Sequence, residues 1–459
     1  MFCVPYAAST AQAAQPSEAE IDAVFERIMK ENHVPGAAIS IMHKDKMIFA
    51  KGYGYSNLEH RVTTKPEVIF QSASVGKMFT SAAILLLEKD GKLSLQDNIL
   101  KHLPSGPKTW ADITPQQMMM HRSGMPDYEG DIPEEEEDLA LRAEFSDDDF
   151  IAALQTKPLE FTPGTQYSYS NTAYILLGAV IRKVSGQFYG DFLQDRVFGP
   201  IGMKTAQVND IDQIIPNRSQ GYRPKGDGLI RDEFVSHSLS RTADGSLLFS
   251  VLDMAEWNKE LFYDNKILSR ETVQEILKRR PYSDGTSQPS GYGYGWALTN
   301  VRGHEIVKHS GAWQGFSTYY LRAPEKDLSV VVLLNLAGGD AGRFSKTILG
   351  LFDSNYTSYA AVDDNLYGLT KKHQALVAAY LSGNRLGNGY TKTAASRLGG
   401  KTQQRAITDS AEAGDTEKFV LVHVNEDLNL RTYKSNYLLI DVDMNANGLV
   451  ENLRFDEVY

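Results

Sequence analysis

Ser74-Val75-Gly76-Lys77, directly ahead of the apolar run Met78-Phe79-Thr80-Ser81-Ala82-Ala83-Ile84-Leu85-Leu86-Leu87, constrains this chain more than any other stretch. A serine and a lysine three apart on a helix share one face, so the amine can sit against the hydroxyl without help from distant sequence. A serine hydroxyl is a poor nucleophile at neutral pH. A neighbouring lysine whose proton affinity is lowered by burial and nearby cations is one way to activate it. Ser72 and Ser74 suit an N-cap or first turn, and Asp90-Gly91 supplies a helix stop. The backbone N–H of Ser74 would then lie near the positive helix end, free to bind an oxyanion. A second serine-lysine spacing, Ser105-Gly106-Pro107-Lys108, is disqualified as a helical pair by its internal proline.

Two further segments carry reactive residue types. Phe161-Thr162-Pro163-Gly164-Thr165-Gln166-Tyr167-Ser168-Tyr169-Ser170-Asn171 ends in a tyrosine and an asparagine two apart, before a helical run over residues 173–184. Lys308-His309-Ser310-Gly311-Ala312-Trp313 falls between two strand-like segments. Tyr-x-Asn also occurs at Tyr55-Ser56-Asn57, in an expected hairpin, and at Tyr263-Asp264-Asn265, which lacks the Pro-Gly turn and the following helix. Order and context single out Tyr169. With SxxK, YxN and K/H-[ST]-G in this order, the chain resembles the serine hydrolases of the class C β-lactamase and D,D-peptidase (penicillin-binding protein) family over about residues 20–352. His121-Arg122-Ser123-Gly124-Met125-Pro126-Asp127-Tyr128 and Gly199-Pro200-Ile201-Gly202-Met203 resemble that family as well.

The resemblance implies Ser74 as nucleophile, with Lys77 and Tyr169 sharing its proton and the base undecided between them. It implies that Asn171 bonds Lys77 and the substrate. His309, with Ser310 and Gly311, would lie beside Tyr169, where a positive or donating group eases an anionic phenol. The implied oxyanion hole is the backbone N–H pair of Ser74 and Ala312. No cofactor and no metal are called for. Histidine at 309 departs from the lysine usual in class C β-lactamases, which turns the expected substrate from β-lactams toward carboxylic esters. D-stereospecific peptidase or D,D-carboxypeptidase activity comes second, and a penicillin-binding or sensor protein acylated without turnover third. The expected partner is a small-molecule ester or amide. The absence of a Gly-x-Ser-x-Gly elbow counts against an α/β-hydrolase, and no GxxxxGK[ST] nucleotide loop occurs.

Composition agrees with such an enzyme. At 459 residues, 42% hydrophobic and 23% charged, the chain can bury a large core and divide into two domains. A formal net charge of −11 without a basic patch argues against nucleic acid or an anionic membrane as partner. The single Cys3 rules out an internal disulfide framework and a multi-cysteine metal site, and no apolar run reaches transmembrane length. Residues 1–14 resemble the end of a secretory signal with an Ala-x-Ala site but lack the basic n-region. A truncated leader, and export to a periplasm or the cell exterior, are expected; a flexible alanine-rich tail is the alternative.

The expected fold class is α/β (α+β): an antiparallel sheet flanked by helices with a mostly helical insert, plus a small C-terminal α+β or β appendage. Helical spacing covers residues 18–31, strand pairs read at 37–42 with 47–53 and at 318–322 with 329–334, and a helix covers 341–352. The expected division is a leader at 1–17, a catalytic domain at 18–352 with its insert at about 97–300, a linker at 353–369 and a C-terminal domain at 370–459. There a helix is read at 371–381 and strands at 418–424, 437–442 and 449–455. The acidic run Pro133-Glu134-Glu135-Glu136-Glu137-Asp138 reads as a solvated loop rather than a metal site, and Ser146-Asp147-Asp148-Asp149 as a helix start. Asp441-Val442-Asp443-Met444-Asn445-Ala446-Asn447-Gly448 lacks the closing glutamate of a calcium loop and reads as a hairpin turn.

Overall fold

Capping chemistry opens the fold. The Ser17 hydroxyl accepts the Glu20 N–H while the Glu20 carboxylate accepts the Ser17 N–H, starting the helix Glu18–Glu31 with a capping box. Its apolar stripe, Ile21, Phe25, Ile28 and Met29, packs with the helix Ala341–Phe352 over one face of the main sheet. The structure, a computed structural model, describes residues 15–128, 141–232, 235–285, 291–301, 303–357, 366–384, 388–391, 394–395, 398, 420–425, 430–434, 438–444, 447 and 449–457.

In chain order the strands run β1 Gly36–His43, β2 Lys46–Asn57, β3 Val62–Thr63, β4 Phe70–Gln71, β5 Gln207–Val208, β6 Tyr222–Lys225, β7 Gly228–Arg231, β8 Leu247–Phe249, β9 Gly291–Tyr292, β10 Ala297–Val301, β11 His304–Trp313, β12 Phe316–Ala323 and β13 Leu328–Leu334. The main sheet has the order β3-β2-β1-β13-β12-β11-β10-β9, antiparallel throughout. Because successive strand residues point to opposite faces, β13 serves two cores. Val330, Val332 and Leu334 meet the helix pair, while Val331 and Leu333 meet the helical region on the other side.

That helical region is built around Lys77–Lys89, which is buried from Lys77 through Leu87 and packs against the helix Asn171–Ser185. A helix apolar on every side must be buried on every side, which accounts for the run that follows Lys77. The three-stranded sheet β4-β8-β5 and the hairpin β6-β7 lie within the same stretch of chain. Among the described residues, no helix is long and apolar enough to cross a membrane.

Further on, the helix Tyr367–Leu381 and the strands β14 Val420–Asn425, β15 Leu430–Lys434, β16 Leu438–Met444 and β17 Val450–Glu457 have a core of their own, including Val377, Tyr380, Tyr433, Ile440 and Val442. Strand β15 is absent from the sequence expectations because Arg431, Thr432 and Lys434 mask its pattern, and Arg431 is in fact buried. Two other expectations need correction. The His309 motif lies inside β11 rather than between strands. Ser72 is no N-cap: its backbone is helical and its side chain makes no cap bond. The leader at 1–14, the acidic run at 133–138 and most of 383–414 lie outside the described residues, as do 445, 446 and 448 of the hairpin between β16 and β17.

Candidate active site

Ser74 is presented by a strained turn between β4 and the buried helix. Ala73 has φ +46°, a left-handed conformation uncommon for a residue with a Cβ, and a short 3-10 turn, Ala73–Gly76, leads into Lys77. Neighbours on both sides hold this turn. The Ser72 N–H donates to Leu247 O at 2.7 Å, and the Ser72 carbonyl accepts from Thr318 Oγ1 at 2.7 Å. The Ser72 hydroxyl lies 3.0 Å from the Gly245 carbonyl. Glycine is required at 311, because a Cβ there would come within 2.7 Å of Ser72 O and 2.9 Å of the Ala73 Cβ. The strand carrying Ala312 thus runs against the turn carrying Ser74.

Lys77 is fully buried, and its Nζ lies 3.0 Å from Ser74 Oγ, 2.7 Å from Asn171 Oδ1 and 2.6 Å from the Asp244 carbonyl. Asn171 Oδ1 and the Asp244 carbonyl can only accept, so they take two N–H bonds. The contact with Ser74 runs either way, as an ammonium donating to it or as a neutral amine accepting the serine proton. Asp127 fixes the Asn171 amide, its Oδ2 accepting from Asn171 N at 3.2 Å and Nδ2 at 3.3 Å. Asn171 also opens its helix, whose N-cap Ser170 accepts the Ala173 N–H.

Tyr169 is half-buried beneath this lysine, Nζ lying 4.9 Å from its ring centroid. His309, on β11, has its ring centroid 6.5 Å from that of Tyr169. The Ser310 carbonyl, 2.6 Å from Nδ1, can only accept, so Nδ1 carries a proton; in the neutral ring Nε2 then accepts from the Tyr292 hydroxyl at 2.5 Å. Burial, followed by the charge of Lys77, pushes the His309 pKa down to about 3. This corrects the expectation of a positive or donating group beside Tyr169: His309 is neutral, and its one N–H is bound to its own neighbour's backbone. Ser310 is exposed, Gly311 is buried, and Ala312 is exposed opposite Ser317 near the strand end.

The structure therefore brings Ser74, Lys77, Tyr169, Asn171 and His309 together. Residues without a role in the sequence reading complete the site: His121, Asp127, Tyr174, Asp244, Tyr292 and Thr318. His121 and Asp127 fell in a segment already noted for its wording; the others act through pairings between distant parts of the chain. Among the described residues one acid-histidine cluster has ligand atoms within 4.8 Å, Asp210, Asp212 and His237. His237 Nε2 lies 3.3 Å from Arg241 Nη1 and 3.4 Å from Asp210 Oδ1, so the guanidinium already provides a positive charge beside the cluster.

An antiparallel sheet flanked by helices, with a serine-lysine pair where it meets a helical region, is the plan of the serine hydrolases related to penicillin-binding proteins. The chain belongs to the β-lactamase family: residues 21–351 match the family described as Beta-lactamase. Protein flp of Staphylococcus aureus (strain MW2) is 31% identical over 327 residues, covering 70% of this chain and 63% of that protein. The chain thus spans less than two thirds of that relative's length. Penicillin-binding protein 4* of Bacillus subtilis (strain 168) is 26% identical over 336 residues, 70% of this chain and 72% of that one. Two solved structures share the fold. The octameric penicillin-binding protein homologue from Pyrococcus abyssi has a TM-score of 0.63 at 22% identity, covering 96% of this chain and 90% of that one. The D-amino acid amidase from Ochrobactrum anthropi SV3 has a TM-score of 0.62 at 21% identity, covering 74% and 97%.

Proposed function

We propose that this protein hydrolyses carboxylic esters through an acyl-enzyme on Ser74. The observation that carries the reading is the buried Lys77 amine, 3.0 Å from Ser74 Oγ and bonded to Asn171 Oδ1 and the Asp244 carbonyl, which can only accept. Ser74 Oγ attacks the ester carbonyl as its proton passes to Lys77 or Tyr169. The bond to the leaving alcohol breaks, and the same pair returns the proton to the departing oxygen. Water then attacks the acyl-serine, gives up a proton to that pair, and releases the carboxylic acid and the free hydroxyl. Asn171 orients Lys77 and contacts the substrate. The backbone N–H groups of Ser74 and Ala312 serve as oxyanion hole, a stabilisation of about 3 kcal/mol in enzymes of this kind.

The choice of ester rests on His309. A carboxylate beside the scissile bond calls for a cation, and the neutral His309, its N–H already engaged, offers none. The same neutrality suits an unionised amide, so hydrolysis of D-amino acid amides or peptides is the second reading; it draws on the fold shared with the D-amino acid amidase. We place the activity outside the cytoplasm on the signal-like composition of residues 1–14.

A substrate panel with intact-mass detection tests this. p-Nitrophenyl butyrate turnover with an acyl adduct on Ser74, lost on the order of 10⁴-fold in Ser74→Ala, is the expected result. Release of ammonia from D-amino acid amides without ester turnover would favour the second reading, and a stable penicillin adduct without turnover would favour a sensor. Hydrolysis that survives Ser74→Ala refutes the acyl-enzyme altogether.

A further inference from the structure

We propose that His121 is a positioning residue for Tyr169, holding the phenol in register with Lys77 and Ser74. The inference rests on the role given to Tyr169 above. His121 grips the chain on both sides of that tyrosine. Its carbonyl accepts the Ser168 N–H at 3.0 Å, and its ring Nδ1 accepts the Ser170 N–H at 3.1 Å. Its backbone is left-handed, at φ +54°, a conformation in which asparagine, aspartate and histidine are enriched among residues other than glycine. Its ring also lies against Tyr169, with centroids 4.1 Å apart at 34°. Tyr292 and Tyr174 close around the same ring at 4.5 Å and 5.1 Å.

The imidazole is held in one state. An amide N–H can only donate, so Nδ1 is bare and the neutral ring carries its proton on Nε2. Burial, then the charge of Lys77, keeps the ring's pKa well below 6.5. The groups facing it are Lys77, His309, Tyr167, Tyr169, Tyr174 and Tyr292. Nε2 is buried and has no hydrogen-bond partner among the described residues. A ring serving only as packing would leave no such N–H stranded, since phenylalanine fills a similar space without the polar atom. What histidine adds is the Nδ1 acceptor that fixes the Tyr169-Ser170 backbone, at the expense of the stranded N–H.

Two variants separate this role from packing. His121→Phe keeps the aromatic contact and loses the acceptor; His121→Asn keeps an acceptor and tolerates the left-handed backbone while losing the ring. With an ester substrate, His121→Phe is expected to lower kcat about 10- to 100-fold with KM within about twofold, and to shift the pH profile of kcat. His121→Asn should recover part of the loss. Wild-type kcat and pH profile in a folded His121→Phe overturns the proposal, whatever happens to its melting temperature. ¹⁵N-histidine NMR of the unaltered protein gives a second reading if that variant does not fold. His121 should stay neutral with the proton on Nε2 between about pH 5 and pH 9, and its signals should move when a phosphonate acylates Ser74. A His121 that titrates in this range, or is indifferent to acylation, also overturns it. Activity surviving in Ser74→Ala would instead sink the acyl-enzyme reading and is scored separately.

Discussion

His309 lies between the Tyr292 hydroxyl and the carbonyl of its neighbour Ser310, and burial, followed by the charge of Lys77, decides its charge. An unfolded chain would protonate this histidine near its ordinary value of 6.5, whereas the folded one resists until about 3. The unfolded state therefore binds the extra proton between those values. The contribution of neutral His309 to stability is complete above about pH 6.5 and is lost as pH falls toward 3, by roughly 1.4 kcal/mol per unit. His121, also held low by burial, acts in the same direction. We predict that the denaturant midpoint falls from pH 7 to pH 5, and that His309→Gln falls less steeply; parallel curves for the two proteins would contradict this. Ser74 with Lys77 was readable because three residues of spacing suffice to join them. The identity of His309 was equally readable, but its charge was not, since burial and Lys77 set it and neither is local. Asp127 stayed invisible for a related reason: it acts by turning Asn171, 44 residues further on.

At the level of elements, the site depends on how closely β11 approaches the turn before the buried helix. Thr318 on β12 ties the two together, being paired with Gly311 in the sheet and donating to Ser72 O. In Gly311→Ala the new Cβ would meet Thr318 Oγ1 at 2.5 Å and Ser72 O at 2.7 Å, so the strand must move away from Ser74. The expected outcome is a loss of kcat on the order of 10²-fold and about 1–3 kcal/mol of stability. Thr318→Val keeps the shape but removes the shorter of the hydrogen bonds to the Ser72 carbonyl, leaving the Val75 N–H at 3.3 Å, and should cost about 0.5–1.5 kcal/mol, while Thr318→Ser should stay near wild type. Melting temperature and ester turnover on the three proteins decide; an undisturbed Gly311→Ala would show that this contact does not position the nucleophile. The hairpins around this contact were legible, because apolar runs bounded by turn residues announce β12 and β13. The Gly311 contact was not, since no pattern along β11 says what will lie across from it.

The main sheet brings its first and last strands in sequence together at its centre, with β1 paired to β13 as Ala37↔Leu334 through His43↔Leu328. Sequence shows each strand but not this junction, because register between segments so far apart is set only when both apolar faces find their cores. The change of composition after residue 352 was legible, and the structure gives the C-terminal strands a separate core whose hydrophobic members, among the described residues, all lie at or beyond Leu376. We propose on that basis that residues 15–357 form an independent catalytic unit. Every residue assigned to the site lies within them, as do both cores that flank the main sheet. A chain ending after Thr357 should therefore fold, melt cooperatively, and hydrolyse p-nitrophenyl butyrate with kcat and KM within about twofold of the full chain. Loss of kcat in a cooperatively folded fragment would mean that the C-terminal unit contributes to catalysis. A rise in KM alone would instead assign that unit to substrate capture, because truncation would then have removed binding energy shared equally by ground and transition states.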